Sequence, residues 1–280
     1  RQADGSVKVW GQATFISGCH NADFCFMGAP LMKGDELETD ANGAPVFKLW
    51  FLPKDQFEIV RTWDVAGLRG SGSDDVKADG AVVPAKYAGV DLWSVPSHYP
   101  NPVYRMPTPL RLAYNKAAIA IGVAKGSLEV FADIAKNKIP MLTSASLANR
   151  GIAQYRMGVA EATYRAARAW LMESMTAVED ELTGNSDLPG AKTTQDARLA
   201  CTHAANECMK VVDLLHNTAG TTAMRTFSPL ERKLRDSHGA ATHRWVAHPL
   251  YEDLGKILLG IEAGPEFAGG TGAPVLPGPK

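Results

Sequence analysis

Along residues 6–100 the apolar positions follow a two-residue period in short runs, the pattern of half-buried strands. Val7 and Val9 alternate, Trp10 follows, and Phe15 precedes a Ser17-Gly18 turn. An apolar stretch runs from Phe24 to Ala29, another from Pro45 to Leu52, and Phe57 and Ile59 flank Glu58. Clusters of Gly, Asp and Asn at 40–43, 67–75 and 79–80 separate these runs. Short strands at such spacing predict a small barrel or sandwich. Pro96, Pro102, Pro107 and Pro109 then mark a junction, placed at 101–110.

From Leu110 the period lengthens to three and four. Ile121, Ala124, Leu128, Phe131, Ile134 and Ala135 share one helical face, and Pro140 stops the run. A long alanine-rich helix is expected from about Ser144 to Leu182, before Gly184. A third spans Asp196 to Asn217, with Cys201, Cys208, Val212 and Leu215 on one side and Gly220 after it. A fourth runs from Pro229 to about Ala247, and a short one from Tyr251 to Ile261. Long helices with short connections imply a bundle. The pattern gives an α+β protein: a β-domain over 1–100, a helical bundle over 111–263, and a Gly/Pro-rich tail over 264–280 expected to be disordered.

Composition adds mainly exclusions. The chain has 280 residues, a formal net charge of −1 and no basic excess, which argues against nucleic acid or a membrane surface as partner. No apolar run approaches the length that crosses a bilayer. Cys19, Cys25, Cys201 and Cys208 form no C-x-x-C and no Cys/His spacing of a zinc site, so no metal is expected. Free thiols in a reducing cytoplasm are the expectation. The chain begins Arg-Gln-Ala-Asp-Gly, without Met or a signal pattern, and reads as part of a longer polypeptide.

Few polar residues stand out as candidates for chemistry. Residues 61–76 hold Gly67, Gly70 and Gly72 with Arg69 and two serines, in neither phosphate-loop nor dinucleotide spacing. Such a loop either connects strands or turns its backbone N–H groups toward an anion or a polar ring. Ser17 is a turn serine or a functional hydroxyl. His238 and His243, five positions apart, are poorly spaced as a metal pair. The small residues Gly239, Ala240 and Ala241 leave room beside His243 for a planar ligand or for a neighbouring helix. Glu252 after Tyr251 is a catalytic carboxylate or a first-turn charge of the last helix.

The motifs in their order resemble the acyl-CoA dehydrogenase superfamily. They are most similar to its flavin-dependent monooxygenase branch, the oxygenase components of two-component aromatic hydroxylases. Trp63-x-x-x-Gly67-Leu68-Arg69-Gly70-Ser71-Gly72-Ser73-x-x-Val76, with Val83-Pro84 after it, resembles that branch's W-x-x-x-G-L-R-G-T-G-S…V-P. Phe15-Ile16-Ser17-Gly18 resembles its F-x-S-G, although Ile16 stands where the family often has a second small polar residue. Arg235-Asp236…His243 resembles its R-D-x-x-A-x-x-x-H, and Leu254 to Gly260 its final helix.

The resemblance implies an N-terminal helical domain missing from this chain, a β-domain, a C-terminal four-helix bundle and a homotetramer. It implies reduced FMN or FAD supplied by a separate flavin reductase, and a flavin C4a-hydroperoxide that hydroxylates a small aromatic or polycyclic substrate. Flavin contacts fall to Ser17, Gly18, Trp63, Gly70, Ser71 and Gly220. Ser17 takes a catalytic role near flavin N5. His243 is catalytic and, with His238, substrate-binding. Arg244 stands nine positions after Arg235, where many acyl-CoA dehydrogenases carry the glutamate of Y-E-G, and arginine stays protonated. Two alternatives stay open: a dehydrogenase or oxidase with its base elsewhere, and a truncated non-catalytic homologue.

Overall fold

A computed structural model describes residues 2–41, 43, 45–87, 89, 99–184 and 187–263. The chain divides into two compact units, and residues 66–68 belong to the second although the segments on both sides belong to the first.

Among the described residues the first unit holds seven strands: β1 (Val7–Ala13), β2 (Phe24–Pro30), β3 (Met32–Lys33), β4 (Glu36–Leu37), β5 (Phe47–Pro53), β6 (Glu58–Val60) and β7 (Asp75–Val83). They form a three-stranded sheet in the order β1-β7-β6, a β2–β5 pair and a small β3–β4 hairpin, all antiparallel. Alternation explains the layering. Val7 and Val9 of β1, with Val76, Ala78, Ala81 and Val83 of β7, point to the same core as Cys25 and Met27 of β2 and Trp50 and Leu52 of β5. The two larger sheets therefore cover one core, as in a small sandwich.

The second unit contains α1 (Pro102–Arg105), α2 (Thr108–Asn137), α3 (Gly151–Thr183), α4 (Ala191–Ala219), α5 (Pro229–Ala241) and α6 (Leu250–Leu258). Helix α4 packs on α2, α3, α5 and α6. Small residues at three- and four-residue steps make this possible: Ala113, Ala117, Ala120 and Ala124 on α2, and Ala197, Cys201, Ala204 and Cys208 on α4, are all buried. Larger side chains such as Phe131, Leu182 and Leu215 fill the remaining core, each worth about 1.5–3 kcal/mol of burial. Among the described residues no helix is long and apolar enough to cross a membrane.

The helical periods are as expected, but several ends move. Pro102 and Pro109 sit in the first turns of α1 and α2, where their missing N–H costs nothing. The second long helix begins at Gly151 rather than Ser144. Leu142 adopts a positive φ of 60°, and Leu147–Asn149 make a 3-10 turn whose Leu147 N–H returns to the Lys138 carbonyl at 2.7 Å. The third starts at Ala191 and closes at Ala219, where Gly220 turns out with φ 61°. The fourth ends at Ala241, six residues short of Ala247, because 242–249 fold into turns held from α4. The last stops at Leu258, before Gly260 with φ 74°. Pro96 and the tail 264–280 lie outside the described residues. All four cysteines are buried and free, and burial pushes the Cys201 and Cys208 thiols up to about 12.

Candidate active site

Two segments of the first unit lie side by side, the loop 14–23 between β1 and β2 and the stretches 61–65 and 69–74 between β6 and β7. The Gly18 N–H donates to the Ser71 carbonyl at 2.9 Å, and the Ile16 N–H to the Asp74 carbonyl at 3.2 Å. Their hydroxyls form a chain: Ser17 Oγ and Ser71 Oγ each lie 2.7 Å from Ser73 Oγ. Ser73 is buried, whereas Ser17 is exposed. Gly18 occupies the left-handed region with φ 79°. A Cβ on Gly18 or Gly70 would meet nothing within 4 Å, so the backbone there is open to a flat group. Trp63 packs edge-on against Phe15, with ring centroids 6.0 Å apart. Phe15 and Leu68, at φ 60° and 56°, are two of the three non-glycine residues with positive φ among those described. Such strain concentrates where surrounding structure fixes a functional loop.

Buried Asp74 ties this arrangement together. One carboxylate oxygen accepts the N–H groups of Thr62 and Trp63, both at 2.7 Å, and the other accepts from His20 Nε2 at 2.6 Å. The Trp63 N–H, then His20, hold the Asp74 carboxyl down to about 2. Its ordinary value is 3.8, so its stabilising effect is complete above that value and is lost as pH falls through about 2. Asp74→Asn should lower Tm at pH 7 by roughly 3 °C or more. The gap to wild type should narrow between pH 4 and 2; a gap that is constant with pH in thermal melts would contradict this role.

In the second unit, residues 66–68 rest on α5. The Leu68 N–H donates to Asp236 Oδ1 at 2.7 Å, and Arg235 donates to the Ala66 carbonyl. The Arg-Asp pair of the motif thus clamps the backbone of the Gly-Leu-Arg motif. His238 bonds Asp213 on α4 at 2.8 Å. His243 lies in the turn after α5, where its Nδ1 accepts the Trp245 N–H at 3.3 Å. Although His243 is exposed as a residue, the atoms packed about its ring desolvate it, and this, then the charge of Lys116 on α2, holds its imidazole below its ordinary value of 6.5. The buried polar side chains Arg198 and Asn206 of α4 reach the same turn, donating to the carbonyls of Trp245 at 3.3 Å and Val246 at 3.1 Å.

The structure therefore brings Ser17, Gly18, Trp63 and Ser71 into one network, with Gly70 open at its edge. It places His238 and His243 on one segment of the other unit. It also narrows the expectation of inward-turned backbone N–H groups. Those of Gly18, Leu68 and Gly72 are spent on Ser71, Asp236 and Arg69, while the Ser17 hydroxyl lies on an exposed residue. Gly220 caps α4, beside Lys138, whose ammonium donates to the Ala219 carbonyl at 2.6 Å. Glu252 pairs with Lys256 one turn on, at 2.9 Å, the arrangement of a first-turn charge. Asp74, Ser73, Lys116, Arg198 and Asn206 were not singled out from sequence. Each of these that makes a side-chain hydrogen bond has a partner at least 40 positions away, and no local pattern announces that.

The family described as acyl-CoA dehydrogenase, C-terminal domain, matches residues 114–248. Indole-3-acetate monooxygenase from Acinetobacter baumannii is 30% identical over 264 residues, covering 94% of this chain and 66% of that protein. The oxygenase component of p-hydroxyphenylacetate 3-hydroxylase from the same species is 26% identical, covering 94% of this chain and 63% of that protein. The HsaA monooxygenase from M. tuberculosis, a flavin-dependent monooxygenase oxygenase subunit, is 25% identical over 86% of this chain and 61% of that protein. Its crystal structure superposes with a TM-score of 0.78, at 24% identity, over 94% of this chain and 67% of that one. The chain thus spans just under two thirds of the length of the curated relatives it matches. Residues 114–248 thus match the acyl-CoA dehydrogenase C-terminal domain, and over 94% of its length the chain is similar to a monooxygenase of Acinetobacter baumannii.

Proposed function

We propose that this chain serves the oxygenase component of a two-component flavin-dependent monooxygenase, which hydroxylates a small aromatic substrate with reduced FMN or FAD delivered by a separate flavin reductase. The observation that carries this reading is His243, an imidazole on a built turn next to Arg244, where a dehydrogenase's glutamate would stand. Glu252 does not replace that glutamate, being paired with Lys256.

The first unit's loops fit a flavin. They present an exposed hydroxyl at Ser17, a second at Ser71, open backbone at Gly18 and Gly70, and the half-buried ring of Trp63. When bound, the reduced flavin supplies the two electrons that activate O2. Ser17 would hold the ring by a hydrogen bond, kept in place by buried Ser73. Asp74 and His20 keep the two loops in register. His243 would bind the oxygen of the substrate, its ring neutral near pH 7 because its pKa lies below 6.5. His238 is tied to Asp213 and would assist binding beside it.

Other features support an assembled protein in a reducing compartment. The four buried free thiols suit the cytoplasm. Ile152, Tyr155 and Val159 leave an exposed apolar stripe along α3, which suits a homotetramer.

The decisive experiment supplies chemically reduced FMN and 18O2 to the full-length protein with phenols, indoles and arylacetates. One 18O atom should enter the aromatic product. Anaerobic bleaching of bound flavin by an acyl-CoA, with no labelled product, would overturn the assignment.

A further inference from the structure

The turn that carries His243 is fixed from inside the bundle by two buried polar side chains. Arg198 is 0% exposed and Asn206 4% exposed, both on α4. The Arg198 guanidinium donates to the Trp245 carbonyl at 3.3 Å and to the Pro109 carbonyl at 2.8 Å, and lies 5.5 Å from the Trp245 ring centroid. The Asn206 amide donates to the Val246 carbonyl at 3.1 Å and to the Thr202 carbonyl at 2.8 Å.

The N–H groups of the same two residues turn back to the histidine. That of Trp245 reaches His243 Nδ1 at 3.3 Å, and that of Val246 reaches the His243 carbonyl at 2.9 Å. Trp245 and Val246 are therefore held on both sides, their carbonyls by α4 and their N–H groups by His243. Burying a guanidinium in a bundle packed with alanines is costly, and filling the same space with an apolar side chain would serve stability as well. What only Arg198 and Asn206 provide is a polar anchor for the Trp245 and Val246 carbonyls, which fixes the backbone of the turn on which the Trp245 N–H sits.

That orientation has a chemical consequence. A neutral imidazole that accepts a hydrogen bond at Nδ1 carries its proton on Nε2. We propose that Arg198 and Asn206 are positioning residues: by holding the Trp245 and Val246 carbonyls they aim the Trp245 N–H at His243 Nδ1. His243 then meets its substrate as an Nε2–H donor to an anionic oxygen, a phenolate or a carboxylate, rather than as a base. The inference rests on the reading of His243 as a substrate-facing group.

The test labels the full-length protein with 15N-histidine and reads the tautomer from long-range 1H–15N spectra, His243→Ala assigning the signal. Wild type should show the Nε2–H form. Asn206→Leu, which keeps volume but removes the donor, should give a mixture of tautomers. It should also lower kcat for hydroxylation roughly tenfold with KM for reduced flavin unchanged. Arg198→Lys keeps the charge, replaces the planar five-donor fork with a three-donor ammonium, and should shift the same signal. A wild-type ring protonated at Nδ1 overturns the proposal, as do variants that leave both tautomer and kcat unchanged. Full hydroxylation by His243→Ala would instead overturn the substrate-facing role, while the spectra still decide whether α4 sets the tautomer.

Discussion

His243→Ala is expected to cut aromatic hydroxylation by roughly a hundredfold while leaving flavin affinity within about twofold of wild type. The asymmetry follows from where the side chain sits. His243 belongs to a turn of the helical unit, and the hydroxyls and open glycines suited to the flavin belong to loops of the β-unit. Removing the imidazole deletes one hydrogen bond within its turn, the Trp245 N–H to Nδ1, and leaves the Val246 N–H bonded to the His243 carbonyl. The pH dependence gives a second check. Burial and the Lys116 charge lower the imidazole's pKa from 6.5, so the neutral ring dominates at pH 7; a proton added at Nδ1 breaks the bond from the Trp245 N–H that aims the ring, and activity should fall only as pH drops through that lowered value. Lys116→Met removes the repulsion, raises the His243 pKa and should move the acid limb of the kcat profile to higher pH. An acid limb unmoved in Lys116→Met, or equal losses of flavin binding and turnover in His243→Ala, would assign the histidine a structural role.

Gly67→Ala should cost about 3 kcal/mol and lower Tm by about 10 °C, the largest stability loss expected from one methyl group in this chain. A Cβ at Gly67 would stand 2.0 Å from the Arg235 carbonyl oxygen and 2.5 Å from its carbon. Both are backbone atoms of α5, and neither side can yield cheaply. Arg235 holds Ala66, Asp236 holds the Leu68 N–H, and Gly239 gives Leu68 its seat, where a Cβ would meet that side chain at 3.1 Å. The control is Gly70→Ala, three positions on, where a Cβ meets nothing within 4 Å; it should change stability by less than about 0.5 kcal/mol. Thermal melts of the two variants side by side decide the matter, and equal Tm values would refute the clash.

The contrast between these glycines shows what the sequence could and could not convey. Both belong to one recognisable motif, yet only the fold distinguishes a glycine demanded by α5 from one that leaves space. The core faces of α2 and α4 were legible because Ala124, Leu128, Phe131 and Ala135, or Cys201 and Cys208, recur at helical steps set by burial alone. The start of α3 was not. Residues 144–150 carry ordinary helix formers, and what excludes them is tertiary: Leu147 is bonded back to Lys138. Among the groups proposed for the site, Ser17, Gly18, Ser71 and His243 could be singled out because they sit inside contiguous motifs. Asp74 looked like a loop acid, although it organises Thr62, Trp63 and His20. Arg198 and Asn206 looked like polar interruptions of a helix. Their partners in the His243 turn lie 47 and 40 positions away, where no periodicity reaches.

The row of hydroxyls Ser17–Ser73–Ser71 has two equivalent states. Ser73 carries one proton, so it can donate to Ser71 while accepting from Ser17, or the reverse, with both 2.7 Å contacts kept. Reversing the row breaks neither bond between the serines, yet it converts Ser17 from a group whose proton is spent inward into one whose proton points outward. A residue wired in this way can follow a ring that changes from acceptor to donor as it gains and loses electrons, without any heavy atom moving.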